Sequence, residues 1–201
     1  MMDTTADIQP YFLFDNLFDD ALFHRFAQEP IQLYGQARHH VVTEGAIAER
    51  GGTPKRKFRS VGGGPVQNAI YASKNLLSHI SDQTGMQIAP SGQRGTYTFY
   101  AEENDYLDIH RDVDQCDLTL ITCLHSTIPQ NSANGLLYLY SERLNENLSS
   151  IYKDRYWGYR SIYLKPGQSI LLQGGIVPHG VNPIKANHLR IISALCFKRI
   201  F

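Results

Sequence analysis

Apolar positions change their period part-way along the chain. From Tyr11 to Phe26 the order is Y-F-L-F-D-N-L-F-D-D-A-L-F-H-R-F. A short extended piece, Tyr11 to Phe14, runs into an Asp-Asn turn. Leu17, Phe18, Leu22, Phe23 and Phe26 then recur at helical spacing and predict a helix beginning near Phe18. Asp19 and Asp20 fall in its first turn, where carboxylates meet the positive end of the helix dipole. A second helix is predicted from about Val66 to Asp82, with Ile70, Leu76, Leu77 and Ile80 on its apolar side. Between them, the glycine-rich stretch Gly51 to Pro65 with Lys55, Arg56, Lys57 and Arg59 reads as a long flexible loop or lid. It lacks the ordered spacing of a phosphate cradle.

After Gly85 the period falls to two and β-branched and aromatic residues dominate. The predicted strands are Thr96–Tyr100, Tyr106–His110, Leu118–Leu124, Gly135–Tyr140, Ser161–Leu164, Ser169–Gln173 and Leu189–Phe197. Turn residues separate them at Gly92, Glu103-Asn104-Asp105, Asn134-Gly135, Pro166-Gly167 and Pro183. Many short strands at close spacing predict a mainly β sandwich or barrel with buttressing helices. A single domain over 1–201 is expected. Residues 1–90 are its mostly helical support, with the flexible loop at 51–65, and 91–201 are its β core.

Composition narrows the function classes. With 42% apolar residues among 201, the chain can build a core. Nineteen basic and nineteen acidic side chains give zero formal charge, which argues against a nucleic-acid specialist. No apolar run approaches the ~20 residues of a membrane span, and the first ten residues carry no secretory pattern. The three cysteines, Cys116, Cys123 and Cys196, are therefore expected as free thiols in a reducing cytoplasm. Oligomeric state is not legible.

Two of the eight histidines stand in informative contexts. His110-Arg111-Asp112 is an H-x-D at the end of a predicted strand, where residues i and i+2 project to one face. His179 follows the strand Ser169–Gln173 and the pair Gly174-Gly175. Arg190 heads the last strand and shares a face with Ile192, Ala194 and Cys196. A guanidinium on an apolar face is costly unless it meets an anion. Two histidines and one carboxylate are the parts of the facial triad that binds non-haem Fe(II), and Arg190 could hold a carboxylate bidentately.

The order H-x-D, distal His, then Arg resembles the Fe(II)/2-oxoglutarate-dependent dioxygenases, in their prolyl-hydroxylase-like and bacterial amino-acid-hydroxylase-like branch. The likeness covers roughly residues 10–200. It extends to the lead-in Tyr11–Phe26, to Pro166-Gly167-Gln168-Ser169-Ile170-Leu171-Leu172 and to His179-Gly180-Val181-Asn182-Pro183-Ile184. The chain departs from the pattern at Ala101–Asp105, where a glycine is usual, and at Ile192, where some members carry a serine that helps bind the co-substrate.

The resemblance implies a double-stranded β-helix, the jelly-roll of cupins. It implies Fe(II) on His110, Asp112 and His179, and 2-oxoglutarate held by Arg190 and Tyr100. O2 is the oxidant and ascorbate a supporting reductant. The implied reaction hydroxylates or otherwise oxidises an unactivated C–H, with release of succinate and CO2. The expected substrate is a free amino acid or natural-product intermediate. The alternatives are a protein or peptide prolyl-type hydroxylase and a non-catalytic jelly-roll binding module. Halogenation is disfavoured because Asp112 fills the position that halogenases leave to chloride. Arg94, Tyr97, Arg111 and Gln173 flank the expected ligands and are candidate substrate contacts. Arg111 has the opposite strand parity from the ligands.

Overall fold

A computed structural model describes residues 9–200. The chain opens with β1 (Tyr11–Phe14) and α1 (Asp20–Leu33). Asp19 caps α1, its side chain accepting from the Leu22 N–H at 2.7 Å, which satisfies one of the helix's free donors. The polar hairpin β2 (Arg38–Val42) and β3 (Arg56–Gly62) follows. Next come α2 (Pro65–Tyr71), α3 (Lys74–Thr84) and β4 (Gln87–Pro90).

The remaining strands are β5 (Thr96–Tyr100), β6 (Tyr106–His110), β7 (Leu118–Ser126), β8 (Leu137–Leu139), β9 (Arg160–Ile162), β10 (Ser169–Leu172), β11 (His179–Val181) and β12 (Arg190–Ile200). The short α4 (Leu148–Lys153) precedes β9. These strands pair antiparallel in two rows, β10-β7-β12-β5 and β6-β11-β8-β9. β3 joins the rows by pairing with β5 at one end and β6 at the other. β1 extends the first row beside β10, and β4 pairs with the far end of β12. The result is a double-stranded β-helix.

Alternation along the strands divides the core in two. Ile191, Leu195 and Phe197 of β12 face the helices, packing with Phe26, Ile70, Leu76 and Ile80. Ile192 faces the interior between the rows, with Tyr100, Ile121, Cys123, Ile170, Leu172 and Val181. Fully burying an aliphatic side chain contributes about 1.5–3 kcal/mol, so each strand is held in register on both faces.

Three expectations are corrected. The stretch 51–65 is not a loop throughout, because Arg56–Gly62 is the strand that joins the two rows. The predicted helix at 66–82 is two helices, broken at Ala72-Ser73 where the Ser73 hydroxyl caps α3. The expectation of three free thiols fails for two of them: Cys116 and Cys196 form a disulfide with Cα atoms 5.1 Å apart, and Cys123 alone is free and buried. Among the described residues no helix is long and apolar enough to cross a membrane.

Candidate metal centre

β6 and β11 lie side by side with His110 directly opposite His179. The register shifts between this pair and Val181–Leu107, so β6 carries one extra residue there. Leu107 packs into the interior while Ile109 packs on the outer face. The extra residue restores His110 to the inner face. The two rings lie 4.2 Å apart by centroids.

β6 ends at His110, so strand parity alone does not place Asp112. Its backbone N–H donates to the Gly174 carbonyl at 2.8 Å. Arg50 donates to the carbonyls of Asp112, Val113 and Cys116 at 3.1, 2.6 and 2.9 Å. A Cβ on Gly174 would stand 1.8 Å from Asp112 Oδ2, so only glycine leaves room for the carboxylate. Asp112 Oδ1 is 3.7 Å from Nε2 of both histidines, while Thr119 Oγ1 donates to Oδ2.

The ring nitrogens are assigned by their partners. His110 Nδ1 lies 3.0 Å from the Asp108 carbonyl and His179 Nδ1 lies 2.9 Å from the Val177 carbonyl. A carbonyl only accepts, so each Nδ1 carries the proton and Nε2 is the ring nitrogen of each that points toward Asp112 Oδ1. Burial, and then the neighbouring His110, push the His179 pKa down to about 4, so the imidazole is neutral at pH 7. Burial by itself would raise the Asp112 carboxyl. His179, His110 and the Thr119 hydroxyl outweigh it and hold the group well below the usual carboxylate range.

One ligand atom from each of His110, Asp112 and His179 therefore converges within 4.8 Å. The set is two imidazoles and one carboxylate, each with its second polar atom tied back to the protein. Those are donors that suit a divalent transition metal with open positions.

Further along the same interior, Arg190 opposes Tyr100 across β12 and β5. Both are buried, at 3% and 1% exposure. Arg190 Nη1 donates to the Gly135 carbonyl at 2.7 Å, and the Cys123 sulfur is a further neighbour. No carboxylate of the described residues pairs with it. Burial raises the Tyr100 pKa, with Arg190 opposing.

The other candidates separate. Tyr97 faces the helices and donates to Glu29 Oε2 at 2.5 Å, so it is removed from the substrate contacts. Arg111, just past the end of β6, points away from the metal donors. It reaches the carbonyls of Ile176, Leu144 and Glu146 and the Glu49 carboxylate, so it fastens loops and is also removed. Gln173 donates to the Gln9 carbonyl at 2.7 Å and shares the outward parity of Leu171. Arg94 lies over Gly62 near the edge hairpin. Thr119, Gly174 and Arg50 are the supports that sequence reasoning missed. The inward parity of Thr119 with Ile121 and the Gly174-Gly175 pair were the available signals.

No protein-family model and no curated protein matches the chain. Solved structures do match in shape. The non-heme alpha ketoglutarate dependent epimerase SnoN from nogalamycin biosynthesis superposes with a TM-score of 0.70 at 10% identity, over 94% of this chain and 76% of that one. HygX from Streptomyces hygroscopicus, solved with nickel and 2-oxoglutarate bound, gives 0.68 at 12% identity over 96% and 83%. A Pseudomonas putida prolyl-4-hydroxylase gives 0.61 at 13% identity over 96% and 94%. The fold is that of the 2-oxoglutarate-dependent oxygenases. In this oxygenase fold, His110 and His179 sit on neighbouring strands of one row and Arg190 on the other, all facing the shared interior.

Proposed function

We propose that the chain is an Fe(II)- and 2-oxoglutarate-dependent oxygenase acting on a small molecule. The observation that carries this is the pairing, in one barrel interior, of three convergent metal donors with a buried arginine that lacks a counter-anion. A buried cation without an anion is strongly destabilising, and a dicarboxylate that also reaches the metal supplies one.

In this reading His110, Asp112 and His179 hold the iron, and Arg190 holds the far carboxylate of 2-oxoglutarate. The Tyr100 hydroxyl donates to no protein acceptor among the described residues, and in this reading it donates to the same carboxylate. Bound iron and co-substrate supply the activation of O2, with succinate and CO2 as by-products. The protein contributes position and a dry interior. The apolar residues Leu107, Val181 and Ile192 exclude water, and the carbonyl partners of the two Nδ1 atoms fix the imidazoles so that Nε2 of each would face the iron.

The test is turnover with Fe(II), ascorbate and 2-oxoglutarate against a panel of amino acids and natural-product intermediates, reading succinate. Asp112→Ala and His179→Ala should lose iron binding, and full metal affinity in both sinks the triad. Arg190→Ala should raise the 2-oxoglutarate requirement at least about tenfold, because truncating one partner of a buried charge pair costs ~2–5 kcal/mol. An unchanged requirement removes Arg190 from this role. Succinate released only with proline-containing peptides would replace the small molecule by a peptide side chain.

A further inference from the structure

The hairpin of β2 and β3 distributes its charges unequally. Its outer side carries His39, Lys57 and Arg59, and all three meet acids. Arg59 reaches Glu102 at 3.1 Å, Lys57 reaches Glu102 and Asp105 at 3.6 and 3.7 Å, and His39 lies 3.9 Å from Glu102. Its inner side carries Arg38, His40 and Arg56, with Arg94 leaning over Gly62 from the next connection. No carboxylate among the described residues forms an ion pair with Arg38, Arg56 or Arg94. Arg56 Nε is buried with no hydrogen-bond partner. Arg94 has only the Gly63 carbonyl, at 2.9 Å.

Arg38, His40 and Arg94 line a cavity of about 490 Å³ together with Gln36, Ser60 and Gly62, while Arg56 lies further along the same face. Like charges gathered without an anion repel, and in a concave wall they focus a positive field. His40 registers that field: burial, and then Arg56, His39 and Arg38, press its pKa below the ordinary value. Its Nε2 is 2.9 Å from Ser60 Oγ.

The cavity lies on the same inner face as the candidate metal centre, with packed rings between them. The Phe58 ring lies 5.3 Å from the His40 ring and 5.9 Å from the Tyr100 ring, and Tyr100 opposes Arg190. Arg56 opposes Leu107, which opposes Val181 of the strand that bears His179.

We infer that this cavity is an oxyanion subsite, which takes a carboxylate or phosphate group of the small-molecule substrate through Arg38 and Arg94. Guanidinium forks suit both oxyanions. The chain is neutral overall and the cations occupy one pocket rather than a stripe, so a single anionic group fits where a nucleic-acid backbone does not. That the ligand is a substrate rests on the oxygenase reading, but the anion binding does not.

The experiment is a calorimetric titration of the whole protein at low salt, without iron or 2-oxoglutarate, using inorganic phosphate and citrate as probes. At least one probe should saturate. Arg38→Ala and Arg94→Ala should each weaken it about tenfold, the scale of a hydrogen bond to a charged group, and the double variant should abolish it. Both arginines are exposed, so the fold should survive, and circular dichroism checks that. Arg190→Ala should change the affinity no more than about twofold, since distant sites act independently. Saturation by phosphate alone or by citrate alone assigns the subsite to that group.

No binding by either probe overturns the subsite, as does wild-type affinity in the double variant. Loss on Arg190→Ala, with none on the double variant, also overturns it, because the anion is then at the other arginine. Asp112→Ala should leave the titration unchanged. Failure of the triad, read as iron retained by that variant, is therefore separate from failure of the subsite.

Discussion

Asp112 divides its carboxylate between two tasks: Oδ1 faces the histidines and Oδ2 accepts from Thr119. Thr119→Val keeps the shape and removes the donor, leaving a buried carboxylate oxygen unpartnered. Partners of this kind typically tune metal affinity by about 10–100-fold, so Thr119→Val should weaken Fe(II) or Ni(II) binding on that scale, and Thr119→Ser should restore it. Wild-type metal affinity in Thr119→Val would leave Thr119 no positioning role. The ligands themselves were legible because histidine and aspartate at i and i+2, followed by a distal histidine and arginine, form an unusual order. Their supports were not. Thr119 is an ordinary strand threonine until the loop before β7 folds back, and Gly174 shows its purpose only when a Cβ is set against Asp112.

At the level of elements, runs of aromatic and β-branched residues bounded by turn residues located β5 and β6 to the residue. That signal missed β2 (Arg38–Val42), whose sequence RHHVV is mostly polar, and β4, which carries a proline at the sheet edge. β3 was hidden by its cations, which are paired outward and left open inward. Strand alternation makes β5 a test of the architecture, since Tyr97 and Tyr100 face opposite sides. Tyr97→Phe removes the donor to buried Glu29 and should lower folding stability by about 1–3 kcal/mol, read by urea denaturation, while the 2-oxoglutarate requirement stays unchanged. Tyr100→Phe should do the reverse: little loss of stability, and a several-fold higher 2-oxoglutarate requirement. If Tyr97→Phe shifts that requirement instead, the two tyrosines do not divide the faces this way.

For the whole molecule, the bond between Cys116 and Cys196 closes a loop with a sequence separation of 80. That loop contains Thr119, His179 and Arg190, while Asp112 lies just outside. Closing a loop of this length removes denatured-state entropy worth about 4.5 kcal/mol in the chain-entropy account. Reductant, or Cys116→Ser with Cys196→Ser, should therefore lower the urea midpoint substantially. Iron affinity should respond differently. Cys116 Sγ touches Thr119 Oγ1 at 3.1 Å, but Arg50 independently clamps the 112–116 segment through three carbonyls and reaches Asp114 at 3.3 Å. With that clamp intact, the reduced protein should bind metal nearly as well as the oxidised one. Arg50→Met should show the opposite pattern, a roughly tenfold weaker metal site, as expected when an outer support is lost, with a small change in the urea midpoint. A midpoint indifferent to reductant would mean that the thiols stay apart in solution. Metal loss on reduction equal to that of Arg50→Met would mean that the disulfide, rather than the arginine, holds Asp112 in place.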